Sequence, residues 1–124
     1  MSVVYDAGML VAAERNDRQA WADHRARLEL GVVPITTAPV VAQVSRAPRQ
    51  VQLRRLLRGC HVEPFDAEQA HDIGALLGQA AASDVVDAHV VFTAASSSTI
   101  WTSDPKDLRR LANQLPAPIE IRRI

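Results

Sequence analysis

The sequence predicts an α/β fold of three-layer α/β/α type, with a short central parallel β-sheet flanked by α-helices. Two observations predict the α/β class. Short apolar runs rich in β-branched residues alternate with amphipathic stretches along the whole chain, the pattern of strand–helix–strand crossovers. Acidic residues stand directly after two of those runs, at the edge where parallel sheets receive ligands. Size agrees: 124 residues make one ordinary domain, 1–124, and not two.

The elements follow in order. Ser2–Tyr5 is apolar and β-branched and reads as a buried strand. Asp6 opens a helix over Ala7 to about Glu14, with Met9, Leu10 and Ala13 on one face. Arg18–Leu30 is an amphipathic helix closed by Gly31. Val32–Thr36 is a second short strand, which Pro34 restricts to an edge or to a strand start. Thr37 and Pro39 supply an N-cap and a first-turn proline for a helix through Val44. Pro48 interrupts, and Gln50–Arg58 forms another helix before Gly59. His61–Phe65 is a third strand or an extended link. Asp66 caps a helix over Ala67 to about Ala80, and Ser83 or Asp84 caps one through Ala95. Ser96–Ser98 is a turn, Thr99–Thr102 a strand, and Asp104-Pro105 starts a helix to Gln114. Ile119–Ile121 is a last extended piece.

Composition narrows the function classes. Hydrophobic residues at 48% supply a core, and 23% charged residues argue against disorder. Net charge is zero, so any basic surface for a polyanion must be local. One cysteine, Cys60, excludes an internal disulfide. The start MSVVYDAG has no leader pattern, and no apolar run approaches the roughly 20 residues of a membrane span. A cytoplasmic chain without a membrane partner is expected.

The acids carry the chemistry. Asp6 follows Val3-Val4-Tyr5, and Asp104 follows Ile100-Trp101-Thr102-Ser103, so both belong at the C-terminal edge of the sheet. Asp87 shares a helical stripe with Val90, Val91 and Ala94. A carboxylate there is costly unless paired or bound to a cation. Each acid alone also suits a helix cap, and Asp107 suits one well. Three carboxylates in one pocket raise one another's pKa until a cation compensates. Magnesium or manganese suits such oxygen donors and activates water for attack on a phosphodiester. His24, His61, His71 and His89 show no zinc-ligand spacing, and are expected at the surface or as satisfied, partly buried groups.

Tyr5-Asp6-Ala7-Gly8, Ala38-Pro39-Val40-Val41-Ala42-Gln43-Val44, Asp84-Val85-Val86-Asp87-Ala88 and Thr102-Ser103-Asp104-Pro105-Lys106-Asp107-Leu108 resemble, in that order, the motifs of PIN-domain ribonucleases. The likeness is to the VapC toxins of type II VapBC toxin–antitoxin systems. It runs from Val3 to about Leu111. The resemblance implies a parallel-sheet sandwich that cuts RNA with Mg2+ or Mn2+. It assigns Asp6, Asp87 and Asp104 as metal-binding and catalytic acids, with Asp107 as a weaker candidate. Ser103 is expected to position a metal-bound water or a neighbouring carboxylate. The implied partners are an RNA substrate and a VapB-like antitoxin, whose C-terminal segment occupies the groove. The implied assembly is a homodimer, extended to a toxin–antitoxin hetero-oligomer.

One departure stands out. Many PIN domains have a glutamate where this chain has Gln43, and Glu14 is a candidate to compensate. Arg46, Arg49, Arg54, Arg55 and Arg58 are candidates to anchor RNA phosphates, with Arg46 foremost, or else a solvated helix face. Two other readings stay open: a PIN nuclease of RNA processing, and a PIN-like interaction module with weak or no nuclease activity. A receiver domain is disfavoured, because Asp6 has no acidic neighbour and Lys106 lies in a helix start.

Overall fold

The computed structural model describes residues 2–94 and 98–124. Among them five strands and seven helices form one parallel sheet with helices on both faces. Strand β1 (Ser2–Tyr5) is followed by α1 (Ala7–Glu14) and α2 (Arg18–Glu29), and β2 (Ile35–Thr37) by α3 (Ala38–Val44) and α4 (Val51–Arg58). Strand β3 (His61–Glu63) leads into α5 (Ala67–Ala80) and α6 (Val85–Ala94). Strand β4 (Ser98–Thr102), α7 (Pro105–Ala112) and β5 (Glu120–Arg123) complete the chain.

The spatial order is β3-β2-β1-β4-β5, with every pairing parallel. From β1 the chain steps outward to β2 and β3, then returns past β1 to β4 and β5. Right-handed crossovers in opposite directions place their helices on opposite faces. Accordingly α1 packs with α2, α3 and α4, whereas α6 packs with α5 and α7. The reversal falls between β1 and β4, the position where open α/β sheets form a crevice at their carboxyl ends.

Local chemistry explains the boundaries. Pro34 lacks an N–H, so β2 begins at Ile35, not at Val32. The strand is internal, flanked by β1 and β3, so the edge alternative is excluded. Residues 61–63 resolve as strand and not as a link, started by a His61 N–H bond to Pro34 O at 2.8 Å. Thr37 caps α3 by accepting from Val40 N. Asp66 and Gln69 form a capping box on α5. Gly31 adopts φ 78°, a left-handed conformation that glycine tolerates after a helix end. The expected turn at Ser96–Ser98 lies mostly outside the described residues, as does Ala95. Helix α7 ends at Ala112, short of Gln114.

The core lies between the layers. Val4 and Ile100 from the central strands, Leu10 from α1, and Val90 and Val91 from α6 are fully buried. Beneath α2 a buried polar link joins them: Tyr5 Oη bonds His24 Nδ1 at 2.9 Å and accepts from Arg27 Nη1 at 3.1 Å. Among the described residues no helix is long and apolar enough to cross a membrane.

Candidate active site

Tyr5 pairs with Trp101 in register, so the next residue along β1, Asp6, stands beside Thr102. The Asp6 N–H bonds Trp101 O at 3.0 Å, continuing the ladder one step beyond the strand. Alternation of faces then turns the side chains of Asp6 and Thr102 the same way. Thr102 Oγ1 donates to Asp6 Oδ2 at 2.8 Å, and the same oxygen accepts from Asp104 N at 3.0 Å. One fully buried hydroxyl thereby fixes a carboxylate from β1 and the turn after β4.

Asp6 and Asp104 occupy the N-cap positions of α1 and α7, yet neither side chain makes a capping hydrogen bond. Asp84 does cap: its Oδ1 accepts from Asp87 N at 3.0 Å. Capping therefore accounts for Asp84 and leaves the carboxylates of Asp6 and Asp104 free of that task.

Asp87 stands in the first turn of α6, half-buried, on the stripe with buried Val90, Val91 and Ala94. Its carboxyl is pushed up to about 7 by burial first, then by the negative charges of Asp84, Asp6, Asp107 and Asp104. Charges carried by residues at or beside β1, α6 and α7 thus converge on Asp87 at the C-terminal edge. Asp84, Asp87 and Asp107 also line a cavity of about 190 Å³ with Arg110. Arg110 donates to Ala80 O at 2.9 Å and Ala81 O at 2.8 Å, holding the turn into α6 against α7.

Hard oxygen donors with an uncompensated charge match Mg2+ or Mn2+ in chemistry. Among the described residues, however, no three His, Cys, Asp or Glu side chains stand close enough to hold a metal ion. Magnesium keeps several waters and is commonly held through only one or two carboxylates. The donor set fits such an ion without a closed cage.

Several expectations change. Glu14 does not reach the acidic edge: at the far end of α1, its Oε2 accepts from Leu53 N at 2.6 Å and satisfies the first turn of α4. Gln43 therefore has no substitute there and is itself exposed on α3. Thr102, not Ser103, supplies the hydroxyl to Asp6. Ser103 instead crowds Gly8, where a Cβ would lie 2.9 Å from Ser103 N. Arg46 directs Nη1 to Ala42 O at 3.0 Å, at the end of α3. Among the histidines, His24 is buried and bonded to Tyr5, but His89 is fully buried with neither ring nitrogen partnered among the described residues. It packs edge-on against Phe65, and burial lowers its pKa.

No family model matches the chain, and no curated protein matches it. Among solved structures, it is similar to a chain in the crystal structure of VapBC2 from Rickettsia felis bound to a DNA fragment from their promoter. The TM-score is 0.68 at 16% identity, over 98% of this chain and 99% of that one. The fold is PIN-like. Near-complete coverage of both chains means that the α/β/α architecture is shared from β1 to β5.

Proposed function

We propose that this chain is the toxin of a type II toxin–antitoxin pair, an endoribonuclease dependent on Mg2+ or Mn2+ and restrained by a VapB-like antitoxin. The observation that carries the proposal is the delivery of Asp6, Asp87 and Asp104 from three separate elements to one sheet edge, with Asp6 and Asp104 free of capping bonds. The similarity to a VapBC2 chain supports the toxin reading.

One or two of Asp6, Asp87 and Asp104 would hold the cation, with water completing its shell. Once bound, it would activate a water and offset charge on the phosphodiester in the transition state. The chain's own residues do the rest. Thr102 keeps Asp6 in one rotamer by donating to Oδ2. Asp87, pushed to about 7, holds a proton near neutrality and releases it when the charge of the pocket is compensated. Asp107 adds negative charge from the first turn of α7. An arginine of an antitoxin segment entering this edge would satisfy the same carboxylates and compete with the cation.

The test is cleavage of total RNA by protein freed of copurifying partner, in Mg2+ or Mn2+, beside Asp6→Ala and Asp87→Ala. Discrete products that disappear with EDTA and in both variants are expected. A second reading, an interaction module of the same fold, draws on the lack of a closed three-donor group among the described residues and on Gln43 in place of an acid. It predicts that wild type and variants leave RNA equally intact.

A further inference from the structure

We infer that the groove between α2 and α4 binds the phosphate backbone of RNA at a distance from the acidic edge. The inference rests on the nuclease reading. Arg18, Trp21, Ala22 and Arg25 share one face of α2, and with Asn16 and Arg55 of α4 they line a cavity of about 270 Å³. The Arg55 guanidinium lies 4.5 Å from the centre of the Trp21 ring, which presets one cation at the wall of the groove. Arg18, Arg25 and Arg55 are exposed, and among the described residues none has a carboxylate within ion-pair distance.

Electrostatics favours such a site. The acidic edge repels a polyanion before any cation is bound, and the chain as a whole is neutral. Attraction must come from a local concentration of positive charge elsewhere. The groove lies at the far end of α1 from Asp6, about 12 Å for an eight-residue helix. Planar guanidinium forks match pairs of phosphate oxygens in bidentate geometry. Loss of two such contacts lowers affinity at every sequence and flattens its salt dependence.

The experiment compares wild type with Arg18→Gln/Arg25→Gln for binding a labelled single-stranded RNA by fluorescence anisotropy. It is run in EDTA over a series of salt concentrations. Affinity is expected to fall roughly tenfold, and the slope of log K against log salt to shrink by about 1.4, at about 0.7 per phosphate. Arg122→Gln, which removes a guanidinium paired with Glu120 at 2.6 Å, is expected to change neither. A second readout uses Trp101→Phe, which leaves Trp21 as the single indole of the two in the chain. RNA should shift its emission, and the arginine variants should abolish that shift. Equal affinity and slope in wild type and double variant, or an unmoved Trp21 signal, would overturn the inference. So would a groove that takes up polyglutamate and ignores RNA, which would assign it to an acidic protein segment. Because binding is read without metal, absence of cleavage in the nuclease assay is a separate outcome.

Discussion

At the scale of single residues, Asp87 and Thr102 carry opposite lessons. Asp87 was legible because the helical period alone sets a carboxylate on an apolar stripe. Its raised pKa makes a signed prediction. The folded chain holds that proton up to about pH 7, whereas an ordinary aspartate releases it near 3.8. This stabilising preference is full below the lower value and is lost as pH rises through the upper one. Metal-free wild type should therefore lose melting temperature between acid and neutral pH more steeply than Asp87→Asn, and the variant should be the more stable above neutrality. Parallel melting curves would refute the shift. Thr102 was not legible, because its role depends on which residue of β4 comes to lie beside Asp6, a matter of register between segments 96 positions apart. Thr102→Val should leave Asp6 short of its donor and the Asp104 N–H short of its acceptor. The expected loss is about 1–3 kcal/mol in urea unfolding, with RNA cleavage reduced and both restored by Thr102→Ser. A valine variant with wild-type stability and cleavage would remove Thr102 from the account.

At the scale of elements, the caps and periods read from sequence placed α1, α3 and α5 closely, since each is set by neighbours within a few residues. The boundary of β2 moved for a local reason, since the strand begins where Pro34 stops obstructing the ladder. Contacts between elements were the least legible part. Gly8 illustrates this: it lies in the first turn of α1, where alanine ordinarily improves a helix by roughly 0.5–1 kcal/mol. Here a Cβ would stand 2.7 Å from Ser103 Cβ and 2.9 Å from its backbone nitrogen, so the turn carrying Asp104 must move. Gly8→Ala should destabilise by about 1–3 kcal/mol and depress cleavage. Gly74→Ala in α5, where nothing lies within 4 Å of the added carbon, should stabilise in the ordinary way. The opposite signs of the two substitutions, measured by denaturant unfolding, distinguish a close approach between elements from helix propensity. If both stabilise, the contact between α1 and the β4–α7 turn is not the tight one described.

At the scale of the whole molecule, a net charge of zero concealed a division. Acids gather at the C-terminal edge, while Arg18, Arg25 and Arg55 of α2 and α4 line a separate groove, and only the fold reveals that separation. The same division predicts how stability responds to divalent cations. Burial and the neighbouring acids disfavour the ionised Asp87 carboxylate, and unfolding relieves that penalty. A cation that binds only the folded arrangement opposes it, contributing about 2.7 kcal/mol at a hundredfold excess over its dissociation constant. For a chain of this length that corresponds to a rise of about 5–15 °C in melting temperature. The gain should be larger in mildly alkaline than in acidic buffer, because Asp87 must be ionised to take part. Asp87→Asn should lose most of it, although above neutrality that variant is by itself the more stable metal-free protein. Thermal unfolding in Mn2+, Mg2+ and EDTA therefore separates two origins of the acidic edge. If the cations raise the wild-type midpoint and not that of the variant, the repulsion in the empty site is offset by the ion it binds. If neither midpoint responds, the carboxylates do not form a cation site, and the interaction-module reading gains the ground that the nuclease loses.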